Sequence, residues 1–221
     1  MTEPVYAPVG ILGGSFNPVH LGHLAIAQQV RDALLLEKVI LIPAYVSPFK
    51  TADDEMASAS DRLAMCRLAV HHLAGLDVCD IDIRRGTVSY AVETLETLRQ
   101  ERGWTKPPVF IIGSDAIKNF SEWKQYDRII DELAYIVVVD RRTEPLTDAA
   151  WRSLAGTLGD ERARQLQAQS VAIDRVDTSS TDIRRAVRDG RPLNGLVRRS
   201  VEDYIRNQRL YRRAQKGCND G

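Results

Sequence analysis

Short, continuously apolar runs rich in β-branched residues alternate along this chain with longer stretches of helical period. That alternation constrains the fold more than any other feature. Val109-Phe110-Ile111-Ile112 and Tyr135-Ile136-Val137-Val138-Val139 lack the in–out alternation of a half-exposed strand, and read as strands buried on both faces. Strands are expected at 9–12, 39–42, 78–83, 109–112, 135–139 and 171–173. Helices are expected at 21–36, 60–73, 90–101 and after residue 178, with a helical stretch between the strands near 112 and 135. Strands separated by helices imply parallel pairing through right-handed crossovers. The fold class is therefore α/β: a doubly wound, mostly parallel sheet with helices on both faces and its ligand at the carboxyl ends of the strands.

The length of 221 residues and a 44% hydrophobic fraction support one well-buried domain, drawn over 1–213, with 214–221 as a flexible tail. No apolar run approaches the ~18 residues needed to span a bilayer, so no membrane partner is expected. The Met1-Thr2-Glu3-Pro4 start is acidic and unlike a secretory signal. Cys66, Cys79 and Cys218 have neither an even count nor metal spacing, which points to a reducing cytoplasm. Thirty basic and thirty acidic residues balance, arguing against a dedicated nucleic-acid binder. Between 182 and 213, however, ten arginines face four acids. That local field suits a polyphosphate, although a solvated helix surface accounts for most of these arginines. Residues 43–60 form a long polar stretch of the kind often used as a functional lid. Residues 143–169 read as a helical insertion with Leu154, Leu158 and Leu166 on its buried side.

The segment Gly13-Gly14-Ser15-Phe16-Asn17-Pro18-Val19-His20-Leu21-Gly22-His23 joins the first strand to the first helix. Paired glycines let the backbone approach a bulky anion, and the helix start offers unpaired N–H groups with the positive end of the dipole. The spacing is neither GxGxxG nor GxxxxGK[ST], which excludes the dinucleotide fingerprint and the P-loop. His20 and His23, three apart with Gly22 between them, can meet one ligand over the first helical turn and donate to phosphate oxygens. No third ligand for a metal accompanies them.

A second element, Thr178-Ser179-Ser180-Thr181-Asp182-Ile183-Arg184, follows the last strand and opens a helix. Ser179 and Asp182 have capping-box spacing, and as caps alone they need no further role. Hydroxyls, N–H groups and an arginine one turn in also make an anion site.

The first segment resembles the nucleotidyltransferase superfamily marked by His-x-Gly-His after its first strand, and the second resembles that superfamily's Ile-Ser-Ser-Thr-x-Ile-Arg element. Class I aminoacyl-tRNA synthetases share a related motif. Ile111-Ile112-Gly113-Ser114-Asp115 with Trp123, Tyr135 to Arg141, Ser89-Tyr90-Ala91 and Leu210-Tyr211 are similar to the bacterial nicotinate-nucleotide adenylyltransferases, over about residues 9–212. The resemblance implies a Rossmann-like nucleotidyltransferase fold and adenylyl transfer from ATP to nicotinate mononucleotide, with Mg²⁺ accompanying ATP. It implies catalytic roles for His20, His23, Lys50 and Arg184. ATP would meet Gly13, Gly14, Ser15, Phe16, His20, Gly22, His23, Gly113, Asp115, Ser180, Thr181 and Arg184. The mononucleotide would meet Ser15, Phe16, Lys50, Tyr90, Ala91, Trp123 and Arg141.

Other roles stand beside these. Trp123 suits plain core packing as well as stacking on a pyridine ring, Asp115 suits a helix cap as well as a ribose or adenine contact, and Arg141 suits a solvated surface. Three positions depart from the family pattern: Phe49 where histidine is usual, Ala91 for threonine, and Thr178 for isoleucine. The first two bear on the choice between nicotinate and nicotinamide mononucleotide. The rival readings are an adenylyltransferase for nicotinamide mononucleotide or phosphopantetheine, a cytidylyltransferase, a non-catalytic nucleotide sensor and an RNA-linked function. The oligomeric state is left open, a homo-oligomer included.

Overall fold

A computed structural model describes residues 8–49, 56–141, 145–174 and 178–212, with Arg141 described by its backbone alone. Lys50, the Met1–Pro4 start, Cys218 and the proposed tail at 214–221 lie outside these residues. Six strands form one sheet: β1 (Val9–Gly14), β2 (Lys38–Pro43), β3 (Leu76–Val78), β4 (Val109–Gly113), β5 (Tyr135–Arg141) and β6 (Ser170–Ile173). Their order is β3-β2-β1-β4-β5-β6, and every pairing is parallel. The chain leaves β1 in one direction to build β2 and β3, then returns to β1's other side for β4. The topological switch therefore lies between the carboxyl ends of β1 and β4, where α/β sheets bind ligands.

Among the described residues ten α-helical segments surround the sheet: α1 (Leu21–Ala33), α2 (Ala59–Val70), α3 (Ile81–Arg85), α4 (Ala91–Arg102), α5 (Ser114–Ile117), α6 (Tyr126–Arg128), α7 (Asp148–Leu158), α8 (Asp160–Ala168), α9 (Ser180–Arg188) and α10 (Arg199–Asn207). Successive residues of β4 alternate between two cores. Phe110 and Ile112 pack with Val92, Leu95 and Leu98 of α4 and with Leu154, Leu158 and Leu166 of the insertion. Val109 and Ile111 pack with Leu24, Ala27 and Val30 of α1 and with Ile183 and Ile205 of the last two helices. Each such Val, Leu, Ile or Phe side chain contributes roughly 1.5–3 kcal/mol on burial. Apolar residues on both faces explain why these strands read as unbroken hydrophobic runs. Among the described residues no helix is long and apolar enough to cross a membrane.

The reading of 78–83 as a strand is corrected. β3 stops at Val78, and α3 follows. Ile81 and Asp82 are both buried within this helical turn. Arg84 N–H donates to Asp80 O and Gly86 N–H to Asp82 O, and Gly86 ends the turn at φ 68°, a conformation glycine adopts without a Cβ penalty. The stretch between β4 and β5 is helical in pieces: α5, a 3₁₀ turn, and α6 running into a π-turn at Ile129–Leu133. The described ends of the 43–60 segment are tied down. Ala44 N–H donates to Gly14 O, and Val46 bridges Val88.

Candidate active site

β1 delivers Gly13 and Gly14 to the sheet's carboxyl edge, and the chain then turns inward. Phe16 takes φ 45° and is 2% exposed. Its side chain belongs to the core beneath α1, leaving its backbone for any ligand. The Phe16 ring meets His23 edge-on, centroids 4.9 Å apart, so a core residue fixes the imidazole.

His20 caps α1 in extended conformation. Its N–H donates to His23 Nδ1 at 3.3 Å, which assigns the His23 proton to Nε2 and makes that nitrogen the donor. The two rings stack at 3.7 Å. His20 is 8% exposed, and burial lowers its pKa to about 4. Near neutral pH it is therefore an uncharged imidazole, able to act as a neutral hydrogen-bonding group rather than a cation.

The second element docks directly on the first. Ser180 Oγ–H donates to Pro18 O at 2.9 Å, and Arg184 Nη1 donates to Asn17 O at 2.9 Å. Ser179 caps α9: Asp182 N–H donates to Ser179 Oγ at 3.1 Å, so the cap and the anion element are the same residues. Gly22 sits where the two stretches touch. A Cβ there would lie 3.1 Å from His20 Nδ1 and 3.2 Å from Thr178 Cγ2. His20 Nδ1 and Thr178 Oγ1 are both buried without a hydrogen-bond partner among the described residues. Buried polar atoms are normally satisfied, so this junction has unmet hydrogen-bonding capacity at the point where a phosphate tail is expected. Thr181 is exposed on the first turn of α9.

Beside this junction a cavity of about 310 Å³ opens between the ends of β1 and β4. It brings together Gly13, Gly14, Ser15, Gly113, Tyr90, Ala91 and Trp123 from the expected set. The half-buried Trp123 ring is held by Phe120 at 5.4 Å, Phe49 at 5.7 Å and Phe110 at 6.1 Å. Phe49 thus supplies aromatic surface where the family pattern has histidine. Tyr90 caps α4, placing the Tyr90–Ala91 amides at a helix N-terminus, and Lys124 Nζ lies 4.6 Å from the Tyr90 ring centroid.

His20, His23 and Arg184 do not line the cavity. They share the 13–23 segment with it, so the site has two compartments, one aromatic and one polar. Asp115 stands apart, its side chain 77% exposed and 3.5 Å from Lys118. The Arg141 backbone pairs with Ile173 at the end of β5.

Sequence reasoning missed the cavity floor. Asp82 and Thr94 both line it. Thr94 Oγ–H donates to Asp82 Oδ1 at 2.6 Å, and Arg85 Nη2 donates to the same oxygen at 2.7 Å. The available signal was an acid–arginine spacing of three in a short helix, masked by the apolar alternation of 78–83. Among the described residues no group of three His, Cys, Asp or Glu side chains forms a metal cage.

The cytidylyltransferase-like family model matches residues 11–186. A protein of Gemmatimonas aurantiaca, named "Probable nicotinate-nucleotide adenylyltransferase", is 35% identical over 96% of this chain and 96% of its own length. One of the same name from Desulfatibacillum aliphaticivorans is 38% identical over 92% of this chain and 99% of its own. The Plasmodium falciparum nicotinic acid mononucleotide adenylyltransferase complexed with NaAD superposes with a TM-score of 0.71 at 14% identity, covering 93% of this chain and 98% of that one. At that identity the likeness speaks to the fold. Taken with the near full-length relatives and the two interlocked phosphate elements, it places this chain in the cytidylyltransferase-like family, among the nicotinate-nucleotide adenylyltransferases.

Proposed function

We infer that this chain transfers the adenylyl group of ATP to nicotinate mononucleotide, giving nicotinate adenine dinucleotide and pyrophosphate, a step of NAD biosynthesis. The observation that carries this reading is the pair of bonds from Ser180 and Arg184 to Pro18 O and Asn17 O. They join the two motifs beside an aromatic cavity of about 310 Å³, a volume suited to a pyridine ring and part of its ribose.

The 5′-phosphate oxygen of the mononucleotide attacks the α-phosphorus of ATP. A new P–O bond forms there as the α–β bridging bond breaks, and pyrophosphate departs in line. A phosphate monoester is largely dianionic at neutral pH, so no strong general base is required. Catalysis is positioning plus charge stabilisation. His23 offers its Nε2–H, while His20 orients it through the stacked rings and the main-chain bond. Arg184 brings a fixed cation, and Lys50 is assigned a second. Ser180, Thr181 and the start of α9 receive the phosphate tail, and Gly13 to Phe16, with Gly113 and Asp115, the remainder of ATP. Trp123 stacks on the pyridine, the Tyr90–Ala91 amides receive its carboxylate, and Arg141 is assigned to the mononucleotide phosphate. A divalent cation such as Mg²⁺, bound with ATP, would screen the triphosphate charge beside Arg184 and the start of α9.

Matching a carboxylate to N–H donors disfavours the amide, which leaves those donors imperfectly paired. Nicotinate mononucleotide is therefore the preferred acceptor. Free, buried Cys66 and Cys79 support a reducing cytoplasm as the place of action. The test is pyrophosphate release from ATP and Mg²⁺ with nicotinate mononucleotide, nicotinamide mononucleotide or phosphopantetheine as acceptor. Turnover is expected with the first. Turnover with phosphopantetheine alone, or ATP binding without turnover, overturns the reading.

A further inference from the structure

Arg62 is 1% exposed, yet it belongs to neither motif. All its guanidinium contacts are main-chain oxygens: Nε donates to Ala57 O at 3.1 Å, Nη1 to Ser15 O at 2.8 Å and Ala44 O at 2.5 Å, and Nη2 to Tyr45 O at 2.8 Å. Among the described residues no acidic side chain forms an ion pair with it. A buried ion without a counter-ion is expensive to desolvate. Burial does lower the Arg62 pKa, but an arginine side chain stays protonated in proteins. Its immediate neighbours do not neutralise it: burial raises the Cys66 thiol and the Tyr211 phenol well above their ordinary values, so both are uncharged.

Three stretches converge on this one group. Ser15 belongs to the turn after β1 that is assigned to ATP and mononucleotide. Ala44 and Tyr45 follow β2, and Ala57 precedes α2. Asn17 reinforces the same junction, its Oδ1 accepting from Ala57 N–H at 3.0 Å and from Tyr211 O–H at 2.8 Å. Neutral side chains would satisfy four carbonyl oxygens without carrying a charge into the interior. The feature that sets Arg62 apart is a permanent positive charge directly behind a loop that faces a polyanion. A cation on the Ser15 carbonyl also polarises the Ser15–Phe16 peptide, strengthening its N–H as a donor.

We propose that Arg62 is a positioning residue for the triphosphate: it holds the Ser15 turn against the 44–45 and 57 segments and keeps a fixed positive charge behind the phosphate-binding loop without touching the substrate. The proposal rests on the reading of this site as ATP-binding.

The experiment compares the full chain with Arg62→Lys, which keeps the charge but not the planar fork, and Arg62→Met, which removes the charge. Circular dichroism checks the fold. Displacement of a fluorescent ATP analogue by ATP, by inorganic tripolyphosphate and by nicotinate mononucleotide checks binding, and steady-state kinetics give kcat and both KM values. ATP and tripolyphosphate affinity should weaken about tenfold in Arg62→Lys and more in Arg62→Met, while binding of the mononucleotide, held also by Trp123 and the Tyr90–Ala91 amides, should weaken less than either. Equal weakening toward all three ligands, unchanged ATP affinity in folded variants, or loss of the folded spectrum in both variants makes Arg62 a fold determinant only and overturns the proposal. Wild-type protein that binds ATP but releases no pyrophosphate overturns the reading of the reaction, and the displacement arm still reports on Arg62.

Discussion

The Arg184 guanidinium donates to the main-chain oxygen of Asn17 at 2.9 Å, across 167 positions of sequence. One side chain of the second phosphate element thus buttresses the turn that leads into His20 and His23. Arg184→Ala removes the buttress and a cation together. We expect kcat/KM for ATP to fall by at least about 100-fold, the scale of a lost preorganised donor. Ser180→Ala removes one neutral bond, to Pro18 O, and should cost only about 1 kcal/mol, or tenfold or less in rate. Steady-state kinetics of the two variants will show whether that ranking holds. Equal effects would mean that the guanidinium's charge adds nothing.

His23→Ala should lower kcat by at least about 100-fold with the fold intact. The ring it removes is supported by Phe16 rather than supporting it, and Phe16 keeps its other core contacts. Full activity in the variant would take His23 out of the mechanism.

Gly22→Ala separates helix propensity from site geometry. Alanine is the better helix former by about 1 kcal/mol, so the melting temperature should change little. The added methyl would press on His20 at 3.1 Å and Thr178 at 3.2 Å, forcing the two elements apart, and kcat should drop by about tenfold or more. A variant with wild-type kcat would show that the contact between them is slack.

Stability should depend on pH through His20. Its folded pKa lies near 4 against an ordinary 6.5, so between those values the unfolded chain binds the extra proton. The stabilisation is complete above pH 6.5 and is lost as pH falls toward 4, by up to roughly 3 kcal/mol. Urea midpoints measured at several pH values for wild type and His20→Asn will test this, because the variant should lack that part of the acid slope. Parallel slopes would assign the loss to other groups.

Trp123→Ala should raise KM for the mononucleotide about tenfold while changing KM for ATP by no more than about threefold. Its ring lines the aromatic compartment and stands on Phe120 and Phe49. A proportional rise in both values would make Trp123 a general packing residue.

The parts of the fold that local pattern dictates were legible. β4 and β5 read as buried strands because both their faces are apolar. The Gly13–His23 turn read as a phosphate site because glycines, imidazoles and a helix start lie together in sequence. The rest depends on partners that local pattern does not reveal. Arg62 looks like any surface arginine until its four acceptors arrive from residues 15, 44, 45 and 57. Asn17 lies inside the first motif, but its side-chain partners are 40 and 194 positions away. The 78–83 stretch was misread because Cys79, Ile81 and Ile83 alternate with Asp80 and Asp82 like a strand, whereas the partners that hold Asp82 in a helical turn, Thr94 and Arg85, come from outside the pattern or from the turn itself. The sequence also does not reveal that the Phe16 ring is buried in the core, which leaves its backbone as the part that can meet a ligand.

The bond from the Tyr211 hydroxyl to Asn17 Oδ1 has a consequence for the timing of biogenesis. During translation the imidazole pair emerges early, but the turn before it gains its last anchor only after residue 211 has cleared the ribosome. A nascent chain with a finished sheet would still lack a fully set nucleotide grip, so catalytic competence should arrive abruptly once residue 211 is free to dock rather than grow with chain length.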